Sequence, residues 1–411
     1  MACNYKEFFQ LYFSELERRG IPCVIIHSYQ EYPEKIASDI DYSVPQEHLP
    51  GLHLILADLA EKNGWALVQT LQHGVFAYYS VVVNLEDPTQ NLRLDACSAY
   101  ARVRRYFVPE TVLLTNRVKY RGFFVPSPAG EFAYVVAKMY DAKNRSPAQY
   151  LPRLKQLWSQ DKLGAEKNFT DLFGNTGKTV EQWFDCPPDE WRPLGPIMYT
   201  RKKFGAALLF REAKRVLKRV MNPTGVSVAI LGLDDAARKS LVARLEELLQ
   251  PCFRYQPLHF RPRGDQSPQN AIANPLKAFF YFLNYLAAWW QVVPARISSH
   301  FVVCEGSFDE LLINAEQAGT KGEKGFARFL RRLLPRPDQT FILLTPVRLS
   351  QQRHPGSAKD EWERQERGLL RLAADQRYYT KISAEESPEE LARHIWREVV
   401  NGMAVREARR A

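Results

Sequence analysis

Three aspartates in the first hundred residues have side chains and spacing that suit metal binding. Asp39 and Asp41 are separated by one residue at the start of a predicted strand, 40–44. Residues two apart on a strand point to the same face, so both carboxylates can reach one metal cluster. A third carboxylate, Asp95, lies in another apolar strand, 92–96, which can lie beside the first. Three converging carboxylates are what two Mg²⁺ ions need to hold a nucleoside triphosphate and an attacking hydroxyl.

A serine lies upstream of these acids. Ser28 is eleven residues before Asp39, on the turn after the apolar strand 23–27. A hydrophobic strand, Gly-Ser, about a dozen residues and then Asp-x-Asp is the pattern of the nucleotidyltransferase superfamily, which residues 20–140 resemble. His27 stands where the family has glycine. The alternative is that the Asp-x-Asp pair only caps a turn.

The resemblance implies a role for each matching residue. Asp39, Asp41 and Asp95 would be the metal-binding and catalytic acids, and Ser28 would hold the triphosphate. Related transferases often place a basic residue near the nucleotide, on the helix that here follows Ser127-Pro128. Lys138 lies on this predicted helix, although a solvated helix face is the simpler interpretation.

A second motif follows the apolar run 226–231 and has the position of a phosphate-binding loop. Such a loop uses glycines so that backbone N–H groups can cradle phosphate, followed by a lysine and a hydroxyl residue. Of its glycines only Gly232 is present, and Ala237 stands at the second position. The residues that follow are Arg238, Lys239 and Ser240.

Residues 222–400 resemble a thymidylate-kinase-like domain, of the type fused behind nucleotidyltransferase-like domains in bacterial polysaccharide gene clusters. The segments that carry this resemblance are Pro223-Thr224-Gly225, Gly232-Leu233-Asp234, His259-Phe260-Arg261-Pro262, the aromatic helix 279–290 and Leu334-Pro335-Arg336-Pro337-Asp338. Such kinases have Asp-Arg after the strand 301–304, where this chain has Glu305-Gly306. The missing guanidinium predicts lost phosphotransfer.

An anion pocket in this second module is still open. Its candidate nucleotide- or phosphate-binding residues are Gly232, Arg238, Lys239, Ser240, Arg261 and Arg353. The alternative is that these charges are solvated and the module is purely structural.

The surrounding pattern predicts an α/β protein in three parts. A nucleotidyltransferase-like mixed sheet at 1–125 is followed by a helical connector at 126–221. A P-loop kinase-like parallel sheet with helices on both faces follows at 222–411. The first predicted element is an amphipathic helix that carries Phe8, Phe9, Tyr12, Phe13 and Leu16 and stops at Gly20. The other predicted elements are helices 52–63, 237–249, 325–334 and 387–402, and strands 23–27, 40–44, 75–83, 92–96, 226–231, 301–304 and 340–344.

Composition and charge narrow the partners. The 411 residues carry a net charge of +10, and the segment 201–220 holds eight Lys/Arg against one Glu at amphipathic spacing. This segment predicts a linker helix or one that contacts an anionic membrane surface. No nucleic-acid-binding motif is present. The six cysteines form no Cys-x-x-Cys pair, which argues against structural zinc and disulfides.

No secretory signal or bilayer-spanning run is visible, so we expect a cytoplasmic protein, either free or peripheral to the inner membrane. The leading hypothesis is a metal-dependent nucleotidyltransferase using Mg²⁺ or Mn²⁺ with an NTP, expected to be ATP. Its acceptor would be a sugar, a sugar phosphate or a protein. The alternatives are a non-catalytic nucleotide-binding or scaffold protein of surface-polysaccharide assembly, and a divergent nucleotide or sugar kinase. A homo-oligomer formed through the aromatic helix stays open.

Overall fold

The computed structural model divides the chain into two compact units. The first comprises Met1–Lys218 with Glu407–Ala411, and the second comprises Arg219–Arg406. The structure describes residues 2–102, 105–141, 149–174, 179–185, 206–253, 257–260, 275–304, 308–309, 321–345 and 359–410. Each unit is α/β, the first with a mixed sheet and the second with a parallel sheet.

Helices of the first unit follow the hydrophobic periodicity of the sequence. The first helix begins after Asn4, whose side chain accepts from the N–H groups of Lys6 and Glu7 in a capping box, and it ends before Gly20, which has a left-handed φ of 70°. The helices are α1 Tyr5–Arg18, α2 Leu52–Lys62, α3 Glu110–Leu114, α4 Pro128–Asp141, α5 Leu151–Gln160, α6 Lys162–Phe173 and α7 Val180–Phe184. A 3₁₀ turn at Leu49–Gly51 precedes α2. Helix α8, Ala206–Met221, contains the boundary between the units.

The strands of the first unit are β1 Val24–Ile25, β2 Ile40–Ser43, β3 Trp65–Gly74, β4 Ala77–Asn84, β5 Asn91–Cys97, β6 Tyr100–Arg102, β7 Arg105–Val108, β8 Val118–Tyr120 and β9 Phe123–Val125. The first five form one sheet in the order β1-β2-β5-β4-β3, in which only the β2–β5 pair is parallel. The pairs β6–β7 and β8–β9 are separate antiparallel ribbons.

Two apolar clusters cover the five-stranded sheet. On one face, residues of α1 such as Phe9 and Tyr12 pack with Ile40 and Tyr42 of β2. A second cluster joins α4, α5, α6 and α7 with Val24 and Ile26 near β1. Because side chains alternate between the faces of a strand, the residues of β2 and β5 that do not enter the α1 cluster point toward the α4 side.

The second unit contains a five-stranded parallel sheet. Its strands are β10 Val226–Gly232, β11 Leu258–Phe260, β12 Phe301–Cys304, β13 Gln339–Leu344 and β14 Tyr379–Ser383, in the order β11-β12-β10-β13-β14. The described helices are α9 Asp235–Leu249, α10 Pro275–Ile297, α11 Lys321–Leu333, α12 Lys359–Leu372 and α13 Pro388–Arg410, with a 3₁₀ turn at Gln250–Cys252.

Helices lie on both faces of this parallel sheet. Ala229 of β10 belongs to the apolar cluster of α10 and α11, and Leu231 belongs to that of α12. Ile230, which points to the opposite face, lies beside Val242 and Ala243 of α9. The first strand is central, with β12 and β13 on its two sides, so the chain changes direction around β10. In open parallel sheets this is where ligands bind, at the carboxyl ends of the strands.

Gly225 is required for the chain to enter β10. A Cβ at this position would lie 2.6 Å from Arg296 Cα and 2.6 Å from the His300 carbonyl oxygen. The same approach allows the Gly225 N–H to donate to the Arg296 carbonyl at 2.9 Å. The backbone contact is therefore close enough to exclude any side chain.

We predict that Gly225→Ala destabilises the second unit by about 2 kcal/mol, because the methyl group must displace backbone atoms. Gly325→Ala is the matched control, since nothing lies within 4 Å of its Cβ position in α11. Alanine there should be neutral or stabilise the helix by up to about 1 kcal/mol. Denaturant unfolding of the full chain measures both changes, and equal stability of the two variants would contradict the close approach.

Candidate active site

The strand pairing places two of the predicted acids side by side. Strands β2 and β5 are parallel, and Asp41 is the direct register partner of Asp95. Asp39 lies two residues before Asp41, immediately before β2 begins. Ile40 and Tyr42 of the same strand are buried in the α1 cluster. The carboxylates of Asp41 and Asp95 therefore lie on the α4 side of the sheet. We call Asp39, Asp41 and Asp95 the acidic face.

Each carboxylate of the acidic face has a basic neighbour. Lys138 Nζ of α4 lies 3.3 Å from Asp41 Oδ2, so the predicted lysine does reach the acids. His73 Nε2 lies 2.8 Å from Asp95 Oδ1. Arg93 Nη1 lies 4.0 Å from Asp39 Oδ1. The positive charges of Lys138 and Arg93 and the polar contact of His73 offset the repulsion among three carboxylates that share one side of the sheet.

The environment of Asp41 disfavours its charged form. Burial is the largest cause and raises the pKa of Asp41; Lys138 opposes the shift, whereas the charges of Asp95 and Asp39 add to it. The same carboxylates reach a neighbouring aromatic group: burial first, and then Asp41, raise the pKa of Tyr32 to about 12. The charges of Asp95 and Asp39 therefore act on Asp41 in a partly desolvated part of the protein.

The acidic face fits a divalent cation that arrives with phosphate. Among the residues that the structure describes, no three His, Cys, Asp or Glu side chains are placed to hold a metal ion on their own. Mg²⁺ is commonly held by one or two carboxylates together with substrate phosphates, rather than by a cage made entirely of protein. The adjacent pair Asp41 and Asp95 supplies that number of carboxylates, with Asp39 beside them.

The predicted phosphate-binding turn has its unusual backbone at the serine. Ser28 has a left-handed φ of 59° and is exposed, whereas His27 does not have a positive φ. The backbone at position 27 therefore does not require glycine. The turn follows β1, the antiparallel neighbour of β2. The Ile26 N–H, just after β1, donates to the Asp41 carbonyl at 2.9 Å. The backbone thus brings Ser28 to the same end of β2 as the acids.

Sequence reasoning missed three polar neighbours of the acidic face. Arg93 lies two residues before Asp95, and this strand spacing was a usable signal. His73 and Tyr79 lie on β3 and β4, and the Tyr79 hydroxyl donates to Asp39 Oδ1 at 3.5 Å. No signal pointed to His73, because β3 was not predicted.

In the second unit, the predicted phosphate loop is replaced by an early helix start. Helix α9 begins at Asp235, two residues before the predicted start at 237, so only Leu233 and Asp234 separate it from β10. Asp234 is fully buried and its Oδ1 accepts from the Ala237 N–H at 3.0 Å. A carboxylate at this position satisfies a free N–H group and the positive end of the helix dipole, which are the features that attract phosphate.

Only some of the other residues predicted for this second site line a common pocket. Arg238 and Lys239 line a pocket of about 140 Å³ beside α9, together with His259. Gly232 instead serves sheet packing, since a Cβ there would lie 3.1 Å from the Leu343 Cβ. Ser240 is exposed on the first turns of α9 and does not line the pocket. The remaining candidates, Arg261 and Arg353, lie outside the described residues.

We predict that Asp41→Asn leaves the free energy of unfolding equal or higher at neutral pH. The folded chain holds a proton on Asp41 more tightly than the unfolded chain does. Its stabilising effect is therefore present at low pH and is lost as pH rises from about 4 through the raised pKa. Over that pH range, the free energy of unfolding of the variant, measured with urea, should rise relative to that of the wild type. The control, Asp58→Asn, removes an exposed carboxylate paired with Lys62 and should change stability by less than about 0.5 kcal/mol. A relative loss for Asp41→Asn as pH rises would contradict the prediction.

We predict that Asp234→Ala destabilises the second unit by about 1 to 2 kcal/mol, because the helix loses its N-terminal cap. Asp234→Asn keeps an oxygen that can accept from Ala237 and should recover most of this loss. Asp235→Ala is the control, since this neighbouring aspartate is exposed and makes no cap hydrogen bond. Thermal melting measures all three variants. Equal effects of alanine at 234 and 235 would show that the cap carries no stability.

Comparison with known proteins adds no family to this description. No protein-family model matches the chain, and no curated protein matches it. Any functional conclusion therefore depends on the acidic face and on the start of α9.

Proposed function

We propose that the first unit is a nucleotidyltransferase-like module that binds an Mg²⁺-bound nucleoside triphosphate, expected to be ATP, at the acidic face. It would transfer the nucleotidyl group to a hydroxyl of a small molecule or a protein. The observation that carries the proposal is the register of Asp41 against Asp95 on adjacent parallel strands, with Lys138 at 3.3 Å from Asp41. This combination supplies carboxylates for the cation and a positive charge for the phosphates.

Each residue then has a task. Asp41 and Asp95, with Asp39 beside them, would hold Mg²⁺ together with the phosphates, and the ion would supply positive charge to neutralise charge developing there. Lys138 exchanges its contact with Asp41 for a phosphate oxygen, and Ser28 donates its hydroxyl to the triphosphate. The acceptor oxygen forms a bond to the α-phosphorus while the bond from that phosphorus to the bridging oxygen breaks, so pyrophosphate leaves. The acceptor proton passes to Asp95, which His73 positions through the 2.8 Å contact.

For the second unit we propose a thymidylate-kinase-like fold without efficient phosphotransfer. The central position of β10 and the helices on both faces support this fold. The early start of α9 and the buried Asp234 cap support the loss of chemistry, since a carboxylate already meets the N–H group that would face a phosphate. Arg238 and Lys239 remain beside a pocket in which an anion could bind.

A non-catalytic nucleotide-binding or scaffold role is the second candidate. The observation in its favour is that all three carboxylates have basic neighbours, which would make the acidic face stable without any metal ion. The two candidates differ in turnover. Release of pyrophosphate in the presence of sugar, sugar-phosphate or protein acceptors favours the transferase, whereas binding without release favours the scaffold.

We predict that the full chain binds Mg²⁺–ATP and that Asp39→Asn with Asp41→Asn weakens this binding by about 100-fold or more, because two metal ligands are lost. Titration calorimetry measures the affinity, and Asp58→Asn is the control for charge. The double variant should melt at the wild-type temperature or above, so loss of folding cannot explain the result. Unchanged affinity in the double variant would place the nucleotide elsewhere and contradict the proposal.

Substitutions of Ser28 provide a second test of the proposed nucleotide site. Ser28→Ala removes the hydroxyl and keeps the left-handed backbone, whereas Ser28→Gly removes both the hydroxyl and the strain. Both variants should bind Mg²⁺–ATP more weakly, but only the glycine variant should gain stability, by about 1 kcal/mol. Wild-type affinity in both would remove Ser28 from the site.

A further inference from the structure

Helix α8 exposes an apolar stripe along most of its length. Leu209, Val216 and Val220 follow the i, i+7, i+11 spacing that keeps them on one side of a helix, and Leu217 lies next to them. Their exposed fractions are 53%, 47%, 48% and 59%. Single exposed apolar residues are ordinary on proteins, but a continuous apolar side is not.

Another side of α8 makes polar contacts, each within one unit. In the second unit, Arg219 donates to the Ile297 carbonyl at 2.6 Å. The contacts in the first unit are made by Arg215. Arg215 donates to the Gln72 carbonyl at 2.9 Å and forms an ion pair with Glu212 at 2.8 Å. Amphipathic helices of globular proteins normally turn their apolar side inward. In α8 the arrangement is reversed, so burial within the unit does not account for the apolar stripe.

A row of cations borders the apolar stripe. Arg211, Lys214 and Lys218 follow the i, i+3, i+7 spacing and are exposed. Glu212, the single acid of this helix, is engaged by Arg215. The exposed part of α8 is therefore apolar along one side and positively charged along the next.

We propose that α8 binds the surface of an anionic lipid membrane, with the apolar stripe among the acyl chains and the cationic row at the headgroups. A helix of this composition lies in the plane of the interface. A second copy of the chain is a poorer occupant, since antiparallel symmetric packing of two α8 helices would bring the cationic rows together. No described helix of the protein is long and apolar enough to cross a membrane, so α8 is offered as a surface contact only.

Vesicle sedimentation of the full chain tests this proposal. Vesicles of phosphatidylcholine with one quarter phosphatidylglycerol should bind the protein, whereas pure phosphatidylcholine vesicles should not, and rising salt should weaken binding. Lys214→Gln with Lys218→Gln should weaken binding about 30-fold, at the usual contribution of each lysine near an anionic surface. Leu217→Gln with Val220→Gln should weaken it about tenfold or more through the lost apolar contact.

Two matched controls separate α8 from general surface properties. Lys35→Gln with Lys62→Gln removes the same charge from exposed sites elsewhere, and Leu163→Gln alters a side chain of α6 that is 84% exposed. Both controls should bind vesicles as the wild type does. The proposal is overturned if the wild type ignores anionic vesicles, if it binds neutral vesicles equally well, or if the α8 variants bind like the controls. It is also overturned if the α8 variants change only the oligomeric state.

Discussion

The parallel pairing of β2 with β5 is the constraint on which the candidate site depends. It sets Asp41 directly against Asp95, so two carboxylates that repel each other occupy neighbouring positions of one sheet face. A fold selected for stability alone would avoid this pairing, because like charges directly opposite one another on adjacent strands are unfavourable. Helix α4 and strand β3 offset the repulsion by bringing Lys138 and His73 to the same face. The surroundings are therefore arranged around an acidic pair that the sheet itself does not need.

The same arrangement bears on how the acidic face could exchange the positive charge of Lys138 for that of a metal ion. Burial works against the charge on Asp41, and Lys138 only partly offsets that cost. A cation carried by a triphosphate would meet carboxylates whose present partners are side chains able to rotate away. Lys138 would then face phosphate oxygens without leaving the site. In the proposed function, the repulsion between Asp41 and Asp95 favours a ligand that brings its own metal ion, and a complete set of protein ligands is not needed.

In the second unit, a carboxylate of the chain itself caps the helix that follows the central strand. There, the end of β10 leads into α9 through two residues, and the buried carboxylate of Asp234 meets the free N–H group of the helix. A negative side chain inside the chain thus takes the part that an external phosphate would play. The central strand and its packing depend on apolar burial and on the close approach of Gly225, and neither involves the residues between β10 and α9.

Sequence reasoning predicted the elements whose signals are local. The strand 301–304 has the predicted bounds, and the acids of the Asp-x-Asp pair lie at the start of β2 as expected. Strand β3 was missed because its first five residues are all buried, so that Trp65–Gly74 lacks the alternation of a half-buried strand. With it went His73. The start of α9 was placed at 237, since a loop motif was read where the Asp234 cap begins the helix two residues earlier.

The central claim is that the acidic face takes a divalent cation only together with a triphosphate. Electron paramagnetic resonance of Mn²⁺ titrated into the full chain, with and without a non-hydrolysable ATP analogue, tests it most directly. We expect that free Mn²⁺ stays unbound at micromolar concentration until the analogue is added, and that Asp41→Asn abolishes the bound signal. Tight Mn²⁺ binding without nucleotide, or a bound signal that survives Asp41→Asn, would contradict it.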